Sequence, residues 1–253
     1  MRHLNLNRGR CEMTEFFSMD WYKHLDLVLG RDPFSFLLEY MGTFAGAIAG
    51  VRLASIKKFD LFGAYVVGLV TALGGGTLRD IMLNLPPFWM KDASYLITTF
   101  AALVGVAVFG RRFISEKITW FVFDTIAISF FTVLGLEKTL MHGFPPWCAV
   151  IMGVVTGVFG GVLRDVLIND VPAIFRKEIY AIACLIGAVL YIILYEFFGV
   201  SWIVCCTSCV LLIFILRALA IHYSWAFPVL RGRPIHVHRK CARKKYPRLC
   251  EDT

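Results

Sequence analysis

The heptapeptide Gly74-Gly75-Gly76-Thr77-Leu78-Arg79-Asp80 closes a long apolar run, Leu61 to Leu73. It recurs as Gly160-Gly161-Val162-Leu163-Arg164-Asp165 after a second run, Trp147 to Phe159. Glycine weakens a helix by about 1 kcal/mol per residue relative to alanine, and helices kink or break where glycines gather. Backbone groups freed at such a break need partners in protein or water, since lipid offers none. The pattern therefore predicts two apolar helices kinked at glycines, each carrying an ionisable pair. Many ion and solute sites in membranes take that form.

The repetition reaches beyond the motif. Shifting residues 75–95 by 85 positions matches Gly75, Gly76, Leu78, Arg79, Asp80, Asn84, Pro87 and Tyr95 to identical partners, eight of 21 positions. The same shift lays Glu39 on Asp124, Phe36 on Phe121, Gly50 on Gly135, Gly68 on Gly153 and Thr71 on Thr156. Chance gives one or two matches in the window, so the chain contains an internal duplication.

Composition places the duplicated unit in a bilayer. Apolar residues make up 58% and charged residues 17%, against about 45–50% and 25% in soluble domains, and the mean hydropathy is +0.69. The net charge of +8 would suggest nucleic acid for a soluble protein, but most of the excess lies in the basic C-terminal tail, so no nucleic-acid partner is expected. Cys205-Cys206-x-x-Cys209 has no His or carboxylate beside it in sequence and reads as small packing residues rather than metal ligands. No metal or cofactor is expected. Enzyme signatures are absent, with a membrane-embedded lipid-modifying enzyme using Asp80 and Asp165 as a remote alternative.

Seven apolar spans of roughly 17–25 residues can be drawn. They start near Phe34, Phe59, Tyr95, Ile118, Trp147, Ile179 and Trp202. The expected fold is all-α: repeat 1 over residues 34–115, repeat 2 over 116–200, a seventh helix over 201–223, a polar segment 1–33 and a basic tail 224–253. Three spans per unit force the repeats to be inverted. Bases at Arg52, Lys57, Lys58, Arg111, Arg112, Lys117, Arg176 and Lys177 fall on the side of the tail. The positive-inside rule then places the C-terminus in the cytoplasm and the N-terminus outside. A tail base near an anionic lipid surface contributes about 1 kcal/mol, so Arg231 to Arg248 is a candidate lipid contact.

The candidate path residues are Gly74, Gly75, Gly76, Arg79, Asp80, Gly160, Gly161, Arg164 and Asp165, together with Glu39, Asp124, Thr71 and Thr156. Estimated depth pairs Glu39 with Arg79 in one leaflet and Asp124 with Arg164 in the other; the alternative is that both arginines snorkel to the headgroups. The glycines admit two readings, tight helix crossing or a break whose carbonyls line a wet path. Two or three in succession favour the break.

Two inverted three-span units, each with Gly-Gly-x-x-Arg-Asp in its second helix, followed by a lone seventh helix, resemble the bacterial trimeric intracellular cation channel (TRIC) family. The repeat unit of that family is also known as a glycine transporter domain. The resemblance covers residues 34–223. It implies a homotrimer with one pore per protomer, lined by kinked second and fifth helices and passing K⁺ or Na⁺. Phe159 departs from the pattern by replacing the first glycine of the second triplet. A secondary carrier for glycine is the alternative, with Arg79 or Arg164 facing the carboxylate and Glu39 or Asp124 the ammonium.

Overall fold

In the computed structural model, residues 33–113, 117–175 and 180–223 are described. The N-terminal segment, the lipid contact expected of the tail, and the tail cysteines Cys241 and Cys250 lie outside them. The order is α1 (Pro33–Ile56), α2 (Leu61–Met82), a single turn α3 (Phe88–Lys91), α4 (Ser94–Phe113), α5 (Lys117–Met141), α6 (Pro146–Leu167), α7 (Ala181–Ile192) and α8 (Trp202–His222). A 3₁₀ turn, Ala173–Phe175, follows α6, and a π-type turn, Ile193–Phe197, extends α7.

Five of these helices are long and apolar enough to cross a membrane: Phe34–Ile56, Leu61–Met82, Trp120–Met141, Pro146–Leu167 and Trp202–His222. Two shorter apolar helices, Ser94–Phe109 and Ala181–Phe197, accompany them. The outer surface exposes Leu61, Phe62, Val108, Trp147 and Phe197, each more than half accessible. Water would not tolerate apolar surface on this scale over a monomer; hydrocarbon does.

Both glycine helices begin and end on local signals. The Asp60 side chain accepts from the Gly63 amide at 2.9 Å and caps α2, while Pro146 occupies the first turn of α6, where its missing N–H costs nothing. Each then stops at an asparagine in the left-handed region, Asn84 at φ 57° and Asn169 at φ 54°. The next amide returns to the aspartate carbonyl of the motif, Leu85 to Asp80 and Asp170 to Asp165, both at 2.8 Å. This is the helix-ending motif that a left-handed residue permits, written twice by the duplication.

The expected break at the glycines does not occur. Residues Leu61–Met82 and Pro146–Leu167 run as uninterrupted α-helix through both motifs. The glycines are consumed by packing instead. A Cβ added at Gly75 would run into the Thr156 carbonyl oxygen, and one at Gly160 into the Thr71 carbonyl oxygen. Helices brought that close must present bare backbone at the contact, and the hydrogen-bond ladder survives because nothing inserts into it.

α1 packs against α2, α4 and α5, while α5, α6, α7 and α8 enclose the second core. Two ion pairs fix the sense of the central helices. Lys57, just before α2, meets Asp170, just after α6, at 3.7 Å. Lys138, near the end of α5, meets Asp80, near the end of α2, at 2.8 Å. The start of α2 thus lies beside the end of α6, an antiparallel relation consistent with inverted units.

Candidate functional site at the helix crossing

Arg79 and Arg164 stand one helical turn beyond the crossing glycines, on opposite sides of the contact because α2 and α6 are antiparallel. Both side chains are buried, at 3% and 0% exposure, as are Asp80 and Asp165 beside them. A buried charge must be paired and hydrogen-bonded, and the duplication repeats part of the solution. Arg79 Nε donates to Asp80 Oδ1 at 2.8 Å and Arg164 Nε to Asp165 Oδ1 at 2.9 Å. The second carboxylate oxygen accepts a backbone amide eight residues on, from Phe88 to Asp80 and from Ala173 to Asp165, both at 2.9 Å. The chain after each helix is thereby folded back against the motif. Its tyrosine, Tyr95 or Tyr180, is almost fully buried.

The two clusters differ in their remaining partners. In the second, Arg164 Nη1 donates to Asp124 Oδ1 at 2.6 Å, forming the pair expected from the repeat. The other oxygen of Asp124 accepts from Arg217 of α8 at 2.9 Å. Arg217 also lies over the rings of Phe121 and Tyr180, at 4.7 and 4.5 Å from their centroids. Arg164 lies over Trp120 at 5.5 Å, and its Nη2, like the hydroxyl of Tyr180, is buried with no hydrogen-bond partner.

In the first cluster Arg79 forms an ion pair with Asp80, its neighbour in sequence, at 2.8 Å. Its guanidinium faces the Phe88 ring at 5.7 Å, and the second cation on Asp80 Oδ1 is Lys138 at 2.8 Å. The Arg79–Asp80 pair has a local reason. Asp80 is the next residue and is already oriented by the Phe88 amide, so it offers Arg79 a fixed acceptor at no further conformational cost.

Of the remaining candidates, Gly74 contacts Leu163 across the crossing, Gly76 packs under the Phe88 ring and Gly161 beside the Tyr180 hydroxyl. The Thr71 and Thr156 hydroxyls donate to carbonyls one turn back on their own helices, Val67 and Met152, both at 2.6 Å. It is their backbone carbonyls that meet the opposing glycines.

Three residues escaped the sequence reading. Lys138 lies in the last turn of α5 and reaches a buried carboxylate. Arg217 carried a usable signal: it is the sole Asp, Glu, Lys or Arg in the apolar stretch from Trp202 to Tyr223, and a lone intramembrane charge is a functional candidate by default. Glu137 accepts from the Cys206 thiol at 2.7 Å and the Tyr191 hydroxyl at 3.3 Å. The carboxylate beside the cysteine cluster therefore comes from another helix. The helices bring α5 to α8 across 69 residues of sequence, a separation no local pattern reveals. Among the described residues no group of three or more His, Cys, Asp or Glu is arranged to hold a metal ion.

The family model described as Glycine transporter matches the chain twice, over residues 36–111 and 121–196. The UPF0126 inner membrane protein YadS of Escherichia coli K12 is 40% identical over 167 residues, 64% of this chain and 80% of that protein. A UPF0126 membrane protein of Vibrio cholerae is 39% identical over 160 residues, 62% of this chain and 66% of that protein. Among solved structures, the TRIC trimeric intracellular cation channel orthologue from Rhodobacter sphaeroides aligns with a TM-score of 0.73 at 32% identity, covering 76% of this chain and 100% of that one. Another, described under the structural basis for conductance through TRIC cation channels, gives 0.71 at 34% identity over 78% of this chain and 97% of that one. These neighbours are described as channels, not enzymes. Two glycine transporter domains and a shared fold with the solved bacterial channels establish that this chain belongs to the TRIC family of membrane proteins.

Proposed function

We propose that the protein is a monovalent cation channel, passing K⁺ or Na⁺ along one path per protomer through the α2–α6 crossing. The observation that carries this reading is the pair of buried Arg–Asp clusters flanking the Gly75–Gly160 contact on opposite sides. Ionisable groups at that depth are costly unless they serve a path or each other. Partnerless buried groups beside the second cluster, Arg164 Nη2 and the Tyr180 hydroxyl, are ones a hydrated path would solvate. In this state the crossing is packed shut, and bending of α2 and α6 at their glycines is the motion that would open it.

Further elements of the reading follow from the family and the charge pattern. The two shorter apolar helices complete seven spans in the 3+3+1 arrangement, with the unit boundaries given above. Three copies assemble as a homotrimer in the inner membrane, with the C-terminus cytoplasmic, the N-terminus outside and the basic tail against anionic lipid. The solved neighbours described as trimeric cation channels support this assembly. A glycine carrier is the second reading, favoured by the description of the matching family model. Reconstitution separates them. Unitary K⁺ currents in a planar bilayer support the channel; saturable glycine uptake without unitary current replaces it with the carrier.

A further inference from the structure

We propose that the second cluster holds one small monovalent anion, of the halide class, while the crossing is packed shut, and that water takes its place when the path opens. The link to opening rests on the channel reading; the site itself does not.

Three buried donors stand here without a partner: Arg164 Nη2, the Tyr180 hydroxyl and Trp120 Nε1. Arg164 and Tyr180 are 0% and 2% exposed. These two flank Gly161, where an added Cβ would lie 2.6 Å from the Tyr180 oxygen and 3.6 Å from Arg164 Nη2. The Trp120 indole faces the same guanidinium, with its ring centroid 5.5 Å from Cζ. A single small ligand can therefore reach the hydroxyl and the guanidinium together, with the indole N–H close by.

The duplication shows why the place occurs only in the second unit. Phe88 of the first unit corresponds to Ala173 of the second. The Phe88 ring packs against Gly76, whereas Ala173 has no ring to bring to Gly161. The Tyr180 hydroxyl and Arg164 border that glycine instead. Arg79 and Tyr95, the equivalents of Arg164 and Tyr180, leave no buried side-chain nitrogen or oxygen without a partner.

The donors select the ligand. Both oxygens of Asp124 are bonded to guanidinium groups, from Arg164 and Arg217. Those of Asp165 are bonded to Arg164 Nε and the Ala173 amide. A water would meet donors while the nearest carboxylate oxygens are already engaged. An anion needs only to accept, and bonds from a guanidinium to an anion are about twice as strong as neutral ones. Arg217, over the Tyr180 ring at 4.5 Å, adds to the positive field. Full burial restricts the ion to a small one.

The two donors also stand on segments that move apart. Arg164 lies on α6 beyond Gly160 and Gly161, while Tyr180 precedes α7. Bending α6 at those glycines shifts Arg164 relative to Tyr180, so an anion held by both favours the unbent, shut state. A ligand that binds one state better shifts the population toward it.

The site is tested by replacing gluconate with chloride at constant ionic strength, using the whole chain in detergent and reading its thermal midpoint. The wild type is expected to show a saturable rise. Tyr180→Phe, which removes one donor, is expected to need at least about threefold more chloride for half of that rise. A flat midpoint, or identical titrations of wild type and Tyr180→Phe, overturns the site. Should Tyr180→Phe fail to fold, Trp120→Phe carries the same comparison. The link to opening is tested in planar bilayers at fixed K⁺. Open probability is expected to fall as chloride replaces gluconate, and to fall less in Tyr180→Phe. A saturable midpoint without that fall overturns the link and keeps the site. A wild type without current overturns the channel reading, and the midpoint titration still decides the site.

Discussion

Gly75 and Gly160 face each other across the α2–α6 contact, each against the threonine carbonyl of the opposite helix: Thr156 for Gly75, Thr71 for Gly160. The reciprocity is what a twofold relation between duplicated units demands, since residue i of one must meet residue j of the other and the converse. The two glycines also approach each other's backbone nitrogen, at 3.5 and 3.7 Å from the added Cβ positions. The crossing is therefore the point about which both charge clusters are arranged.

Alanine at either glycine should be poorly tolerated, because the obstacle is backbone and cannot rotate away. Overpacking typically costs about 1–3 kcal/mol, so Gly75→Ala and Gly160→Ala should each lower the thermal midpoint of the purified protein in detergent. Gly105→Ala is the control, with nothing within 4 Å of its added Cβ. Equal midpoints for Gly75→Ala and Gly105→Ala would contradict the contact.

Asp124 is the acceptor for two buried guanidinium groups, so Asp124→Asn should destabilise severely. Loss of one partner of a buried pair costs about 3–5 kcal/mol. Lys57→Ala, which removes one member of an exposed pair with Asp170, should cost no more than about 1 kcal/mol. Thermal unfolding of the two variants side by side checks the order, and comparable losses would refute the burial argument.

Lys138→Met should release Asp80 from its second cation and raise cation flux severalfold, since the carboxylate then attracts K⁺ instead of a tethered ammonium. Flux from K⁺-loaded proteoliposomes measures it. Reduced flux with unchanged protein content would indicate that Lys138 supports the open path rather than obstructing it.

Glu137→Ala should cost about 1–3 kcal/mol by stranding the Cys206 thiol and Tyr191 hydroxyl, both donors to its carboxylate. It should also speed alkylation of Cys206, which is fully buried in the native fold. Mass spectrometry after timed maleimide exposure reads this directly, with partly exposed Cys148 as the fast reference.

What the sequence determined by itself is the part written in local or repeated signals. Apolar run lengths marked the helices, and the 85-residue shift marked the duplication. The Asp124–Arg164 pair was reachable because the repeat and the estimated depth agreed. Tertiary structure decided what the glycines are for. A glycine triplet is compatible with a broken helix or with a close crossing, and only the partner helix, pressed against Gly75 and Gly160, selects between them. It also decided the second cation of each cluster. Lys138 lies 58 residues from Asp80 and Arg217 lies 93 from Asp124. Neither cation occupies the equivalent place in the other unit. Those partners follow from where α5 and α8 pack, and packing at such separation is set by the whole buried surface rather than by any stretch of chain.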